Sequence, residues 1–187
     1  MTDHDLLPRR ALLGLGLGLG AGALLPAARA QDSRPTTPVA GAAPLLVYAV
    51  RHAEKESKGR DPALTEAGRT RAAALARMLA DVPIEAVYST DTLRTRGTAK
   101  PLCDAKQLEP QLYEPGRLAR ALVAGKARTV LVVGHSNTVP GLMAGLGGKP
   151  PAQLLSGYDD LFLAIVLPGG TVLQQLHFGP PSRDSGH

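Results

Sequence analysis

A chain of 187 residues with a formal charge of +5, one cysteine, four Tyr, two Phe and no Trp has room for one domain of ordinary size and no intramolecular disulfide. Its 21 Lys and Arg are scattered through the sequence. With so few stacking groups, that pattern argues against a nucleic-acid surface and suits an anionic small ligand.

Residues 1–30 read as a signal peptide. Arg9 and Arg10 precede an uncharged apolar stretch from Ala11 to Ala28, and Ala28-Arg29-Ala30 is a small-x-small cleavage pattern. The Arg pair followed by Ala-Leu-Leu resembles a twin-arginine signal. Because the stretch is Gly-rich and broken by Pro26, no stable membrane anchor is expected after cleavage. The expected location is periplasmic or secreted. Residues 31–43 have a linker's Pro, Thr, Ser, Gly and Ala, residues 44–179 form the domain, and residues 180–187 are expected to be a disordered tail.

The domain opens on "LLVYAV", Leu45 to Val50, an apolar run with no polar alternation, as in a strand covered on both faces. It ends on Arg51 and His52. In open α/β sheets, ligands collect beyond the carboxyl ends of strands. "DPALTEAGRTRAAALARMLAD" follows as loop and helix: Thr65 can cap it, Glu66 favours its first turn, and Ala72, Leu75, Ala76 and Leu79 make one apolar stripe. Gly68 in that helix costs about 1 kcal/mol relative to Ala, which points to close packing.

"IEAVYST" then reads as a short strand, and "TLRTRGTAKPLCDA" as a loop and a helix interrupted by Pro101. Cys103 is expected to be a small buried residue of that helix. "QLYEP" is a weak strand and Arg117 to Ala124 a short helix. "RTVLVVGHSNTVPGLMAGLGG" repeats the opening pattern of apolar strand, His, polar loop and helix. "LFLAIVLPGGTVLQQLHF" reads as two strands joined at Gly169-Gly170. Alternating strands and helices predict a three-layer α/β/α sandwich whose mainly parallel central sheet carries an antiparallel edge strand.

Two apolar strands therefore end in histidine, at His52 and His135. "RHAEK" with "DPALTEAG", then "YSTDTLRTRGTA", then "VLVVGHSNTVP" resemble, in order and spacing, the histidine phosphatase superfamily with its phosphoglycerate-mutase-like fold. The resemblance covers nearly all of residues 45–178. It implies a phosphate pocket in which Arg51, Arg94 and His135 hold phosphoryl oxygens while His52 attacks phosphorus. Arg94, four residues before Thr98, is the matching arginine, and Arg96 reads as a solvated helix residue.

These residue types suit the chemistry independently. Phosphoryl transfer asks for alignment and for stabilisation of charge on the equatorial oxygens. Guanidinium groups supply permanent charge and forked donors. Imidazole attacks through an unprotonated nitrogen, so the other nitrogen of His52 should donate to a fixed acceptor such as a backbone carbonyl.

The resemblance also implies a proton donor on the loop after "QLYEP", which makes Glu114 the expected acid, with Glu54 and Asp159 as rivals. Asn137 can order its loop and reach phosphate. Tyr158 and Asp159 read as structural, and His177 carries no motif. The expected function is that of a histidine acid phosphatase-type phosphoric monoester hydrolase, monomeric, using no metal and no cofactor, on a small phosphorylated substrate. The alternatives are a phosphomutase, a phosphohistidine protein phosphatase, and a phosphate-binding module without catalysis.

Overall fold

The structure is a computed structural model and describes residues 43–150 and 157–182. The expected signal peptide and all but the last residue of the expected linker lie outside the described residues. Within them, no helix is long and apolar enough to cross a membrane.

Ten elements follow in order: β1 (Leu45–Arg51), α1 (Glu66–Met78), β2 (Ala86–Ser89), α2 (Leu93–Lys106), β3 (Gln111–Leu112), α3 (Leu118–Ala124), β4 (Thr129–Gly134), α4 (Thr138–Gly145), β5 (Asp160–Leu167) and β6 (Gly170–His177). One sheet holds all six strands in the order β3-β2-β4-β1-β5-β6. The first four run parallel, β5 is antiparallel to β1, and β6 returns beside β5 at the edge. The antiparallel part is thus a whole hairpin and not a lone strand. Its turn is Pro168-Gly169, with Leu167 paired to Gly170.

The uninterrupted apolar runs have a simple cause: helices cover both faces of the sheet. Leu45, Val47, Ala49, Val130 and Val132 pack with Leu118, Leu122, Val139 and Met143 of α3 and α4. Alternate residues, Val50, Leu131 and Val133, pack on the other side with Leu75, Leu79, Ala99, Leu102 and Cys103, from α1, the residue that ends it, and α2. Cys103 is buried as expected. Burial pushes its thiol up to about 11, so it is an inert core group.

Thr65 caps α1, its hydroxyl accepting from the Gly68 N–H at 3.1 Å. Gly68 is there for close packing: a Cβ would lie 2.1 Å from the Glu54 carbonyl oxygen. Two differences from the sequence reading stand out. The helix continues through Pro101 to Lys106 and stops at Gln107, whose φ is 55°. The flanking Ala99, Leu102 and Cys103 are buried against the sheet, and that packing outweighs a single missing backbone bond. At the other end, residues 180–182 join the domain, since Arg71 donates to the Pro180 carbonyl at 2.9 Å and the Tyr158 N–H donates to Ser182 Oγ at 3.1 Å. Residues 183–187 of the expected tail lie outside the described residues.

Candidate active site

Strands β1 and β4 are parallel neighbours in register, with Arg51 opposite Gly134, and the His52 N–H extends the ladder by donating to the Gly134 carbonyl at 2.9 Å. Both histidines therefore emerge at the carboxyl ends of adjacent strands. Their ring centroids are 5.4 Å apart, edge to face. Gly134 is required between strand and histidine, because a Cβ there would lie 2.6 Å from Thr138 Oγ1 and 2.7 Å from the Tyr113 hydroxyl. Thr138 in turn accepts the His135 N–H at 2.8 Å.

His52 is buried, and its Nδ1 lies 2.8 Å from the carbonyl oxygen of Ala53. A carbonyl only accepts, so Nδ1 carries the hydrogen and Nε2 keeps a lone pair. Burial, set against that hydrogen bond and helped by the positive charges of Arg51, His135 and Arg94, lowers its pKa to about 4. The ring is therefore unprotonated at neutral pH. The acid limb of log kcat/KM, corrected for substrate ionisation, is expected at about pH 4; a limb near 6.5, the ordinary value, would mean the ring is not shielded in this way.

His135 is half-buried, and its pKa is also lowered, by burial and then by Arg94 and Arg51, with Asp61 pulling the other way. Its Nε2 lies 2.9 Å from Thr90 Oγ1. Thr90 donates onward to Thr95 Oγ1 at 3.1 Å, so a chain of hydroxyls under the first turn of α2 orients this ring.

Arg94 projects from that first turn. Thr98, one helical turn on, donates to the Arg94 carbonyl at 2.8 Å and accepts the Ala53 N–H at 2.9 Å. A single hydroxyl thus ties α2 to the peptide after His52. Arg51 is buried, with its guanidinium carbon 4.3 Å from the centroid of the Tyr158 ring, and that ring lies 5.9 Å from His52. The structure thus brings Arg51, His52 and His135 to one place, with the charge of Arg94 acting on both histidines.

The remaining expected residues are placed differently. Asn137 is exposed at the start of α4 and makes no side-chain cap. Glu114 is exposed on the loop after β3, and no described residue hydrogen-bonds to its carboxylate. Glu54 faces away from acid work: Arg71, itself buried, holds its carboxylate at 2.8–3.0 Å and also donates to the Phe178 carbonyl at 3.0 Å. Asp159 accepts the Ser182 N–H at 3.3 Å and lies 3.7 Å from His177. Arg96 pairs with Asp91 on the surface. Sequence reasoning passed over Thr90 and Asp61, and read as structural Tyr158, which walls the site. Asp61 and Thr90 lie within motifs already quoted, so for them the signal was position and not residue type.

The sequence profile of the histidine phosphatase superfamily (branch 1) matches residues 47–115. No curated protein matches the sequence. The fold is similar to that of the protein histidine phosphatase SixA complexed with tungstate, with a TM-score of 0.62 at 21% identity over 71% of this chain and 97% of that one. It is also similar to a mycobacterial hydrolase (0.58, 17%, 74% and 100%) and to mycobacterial glucosyl-3-phosphoglycerate phosphatase (0.55, 19%, 74% and 100%). The profile match spans β1 to β3 and carries Arg51, His52 and Arg94, while β4 places His135 beside them; over residues 47–115 the chain is similar to the histidine phosphatase superfamily, and it shares its fold with phosphatases of known structure.

Proposed function

We propose that this protein is a phosphatase that hydrolyses phosphate monoesters through a phosphohistidine on His52, without a metal ion. The observation that carries the reading is the Nδ1 contact of His52 with the Ala53 carbonyl at 2.8 Å, which leaves Nε2 as a nucleophile beside the ring of His135 and among the guanidinium cations of Arg51 and Arg94. Those cations hold the equatorial oxygens, the role a metal fills elsewhere. Nε2 forms a bond to phosphorus as the ester P–O bond breaks, and the leaving oxygen keeps the electron pair and takes a proton. Water then attacks phosphorus and breaks the P–N bond, restoring His52. The proposed proton donor is Glu114, which takes a proton back from that water. Asn137 is proposed as a further contact to the phosphate. Export belongs to the same proposal and rests on the Arg9-Arg10 pair and the cleavage pattern at Ala28-Arg29-Ala30.

A phosphohistidine protein phosphatase is the second reading, favoured by the fold it shares with SixA. A protonated imidazole leaves from phosphorus without help, so that substrate would not need Glu114. One experiment separates the readings: turnover of an alkyl phosphate, p-nitrophenyl phosphate and phosphohistidine in the presence of a chelator, by the full chain and by Glu114→Gln. Loss of about 10²–10⁴ on the alkyl ester, with much less on the aryl ester, is expected. Equal, small losses would move the acid elsewhere. Turnover of phosphohistidine alone would select the second reading, and no turnover of any substrate would leave a binding module.

A further inference from the structure

Asp61 lies in the loop between β1 and α1, which is closed at its base by the Lys55–Leu64 bridge and by the Glu56 N–H donating to the Ala63 carbonyl at 2.9 Å. Its carboxylate reaches across to α2. There it accepts the Leu93 N–H at 3.0 and 3.1 Å, and Arg94 Nη1 at 3.2 Å. Arg94 is a phosphate-binding cation in the proposed function, so the contact bears on catalysis.

A guanidinium has two forked edges, Nη1 with Nη2 and Nε with Nη2. Asp61 occupies the first at Nη1. The Nε of Arg94, by contrast, is buried with no hydrogen-bond partner among the described residues. A buried donor left unmade is costly, and an acceptor arriving with a ligand removes that cost. The charge of Arg94 acts on both His52 and His135, so the guanidinium lies in the neighbourhood of both rings. The carboxylates weighed as site residues have other surroundings: Glu54 is held by Arg71, Asp159 by the chain end, and Glu114 is exposed.

Resting on the phosphatase reading, we propose that Asp61 is a positioning residue for phosphate recognition: it holds Arg94 by Nη1 so that the Nε–Nη2 fork is presented to the phosphoryl oxygens. The residue acts through Arg94 and not by touching substrate. Its contact with the Leu93 N–H fixes the carboxylate to the first turn of α2, so loop, helix end and guanidinium move as one unit. The same charge opposes the lowering of the His135 pKa, which keeps that ring closer to its cationic form beside the anion.

The test is calorimetric titration of the full chain with tungstate at neutral pH, in wild type, Asp61→Ala, Asp61→Asn, Arg94→Ala and the Asp61→Ala/Arg94→Ala double variant, each with its melting temperature. Asp61→Ala is expected to weaken tungstate by about ten-fold. Asp61→Asn should weaken it by about three-fold, since the amide oxygen still accepts from Arg94. Once Arg94 is gone, Asp61→Ala should change affinity by less than about two-fold, the signature of action through a shared partner. With p-nitrophenyl phosphate, Asp61→Ala should raise KM more than it lowers kcat. Tungstate binding to Asp61→Ala at wild-type strength, or equal losses with and without Arg94, would overturn the proposal. Failure of wild type to bind tungstate would overturn the phosphatase reading itself, which keeps the two failures apart.

Discussion

His52→Ala is expected to remove phosphatase activity by a factor on the order of 10⁴ or more and to abolish labelling of the protein by a ³²P-phosphate ester. The labelled species in wild type should survive alkali and be lost in acid, as a phosphoramidate is. The competitor for the nucleophile's role is His135, whose ring centroid is only 5.4 Å away. The two rings differ in how their nitrogens are used. His135 Nε2 is engaged by the Thr90 hydroxyl at 2.9 Å, whereas His52 spends Nδ1 on the Ala53 carbonyl at 2.8 Å and keeps Nε2 open. Burial also makes His52 the ring whose pKa falls to about 4, so at neutral pH nearly every molecule has the lone pair ready. His135→Ala should lose activity through lost charge stabilisation and still accept label. Label that persists in His52→Ala and disappears in His135→Ala would exchange the two roles.

Most of the fold was legible because its physics is local. The strands of a doubly covered sheet read as unbroken apolar runs, and α1 announced itself through Thr65 and a four-residue stripe. The case of Pro101 was not legible: whether a proline ends a helix depends on what the flanking residues bury, and Ala99, Leu102 and Cys103 bury themselves against the sheet. The core of the candidate site was legible for a different reason. Arg51 ends β1 and His52 follows it directly, as His135 follows β4, so the pairing of β1 with β4 places them without further information. Asp61 and Tyr158 were not, because each reaches the site through a loop whose path is fixed only by tertiary contacts: the Leu93 N–H for one, the Arg51 guanidinium for the other. Glu54 shows the converse. It sits two residues from His52 in sequence, yet the buried Arg71 holds its carboxylate in an ion pair.

Arg94→Lys conserves charge and is nonetheless expected to lower kcat/KM by about 10²–10³, comparable to removing one fixed donor from a charge-stabilising site. The reason is geometric. Arg94 carries donors on two edges of one planar group, with Nη1 on Asp61 at 3.2 Å and a buried Nε that has no described hydrogen-bond partner. A lysine ammonium is a single point donor on a flexible stem. Placed here it must choose, and the fixed carboxylate of Asp61, already anchored by the Leu93 N–H, competes with each incoming phosphate for it. The loss should therefore appear in KM as well as in kcat, and Arg94→Lys combined with Asp61→Asn should recover part of the KM, because weakening the internal competitor frees the ammonium for the ligand. Steady-state kinetics with p-nitrophenyl phosphate over a salt series provides the check. If Arg94→Lys stays within about three-fold of wild type, plain charge suffices at this position and the fork has no role in recognition.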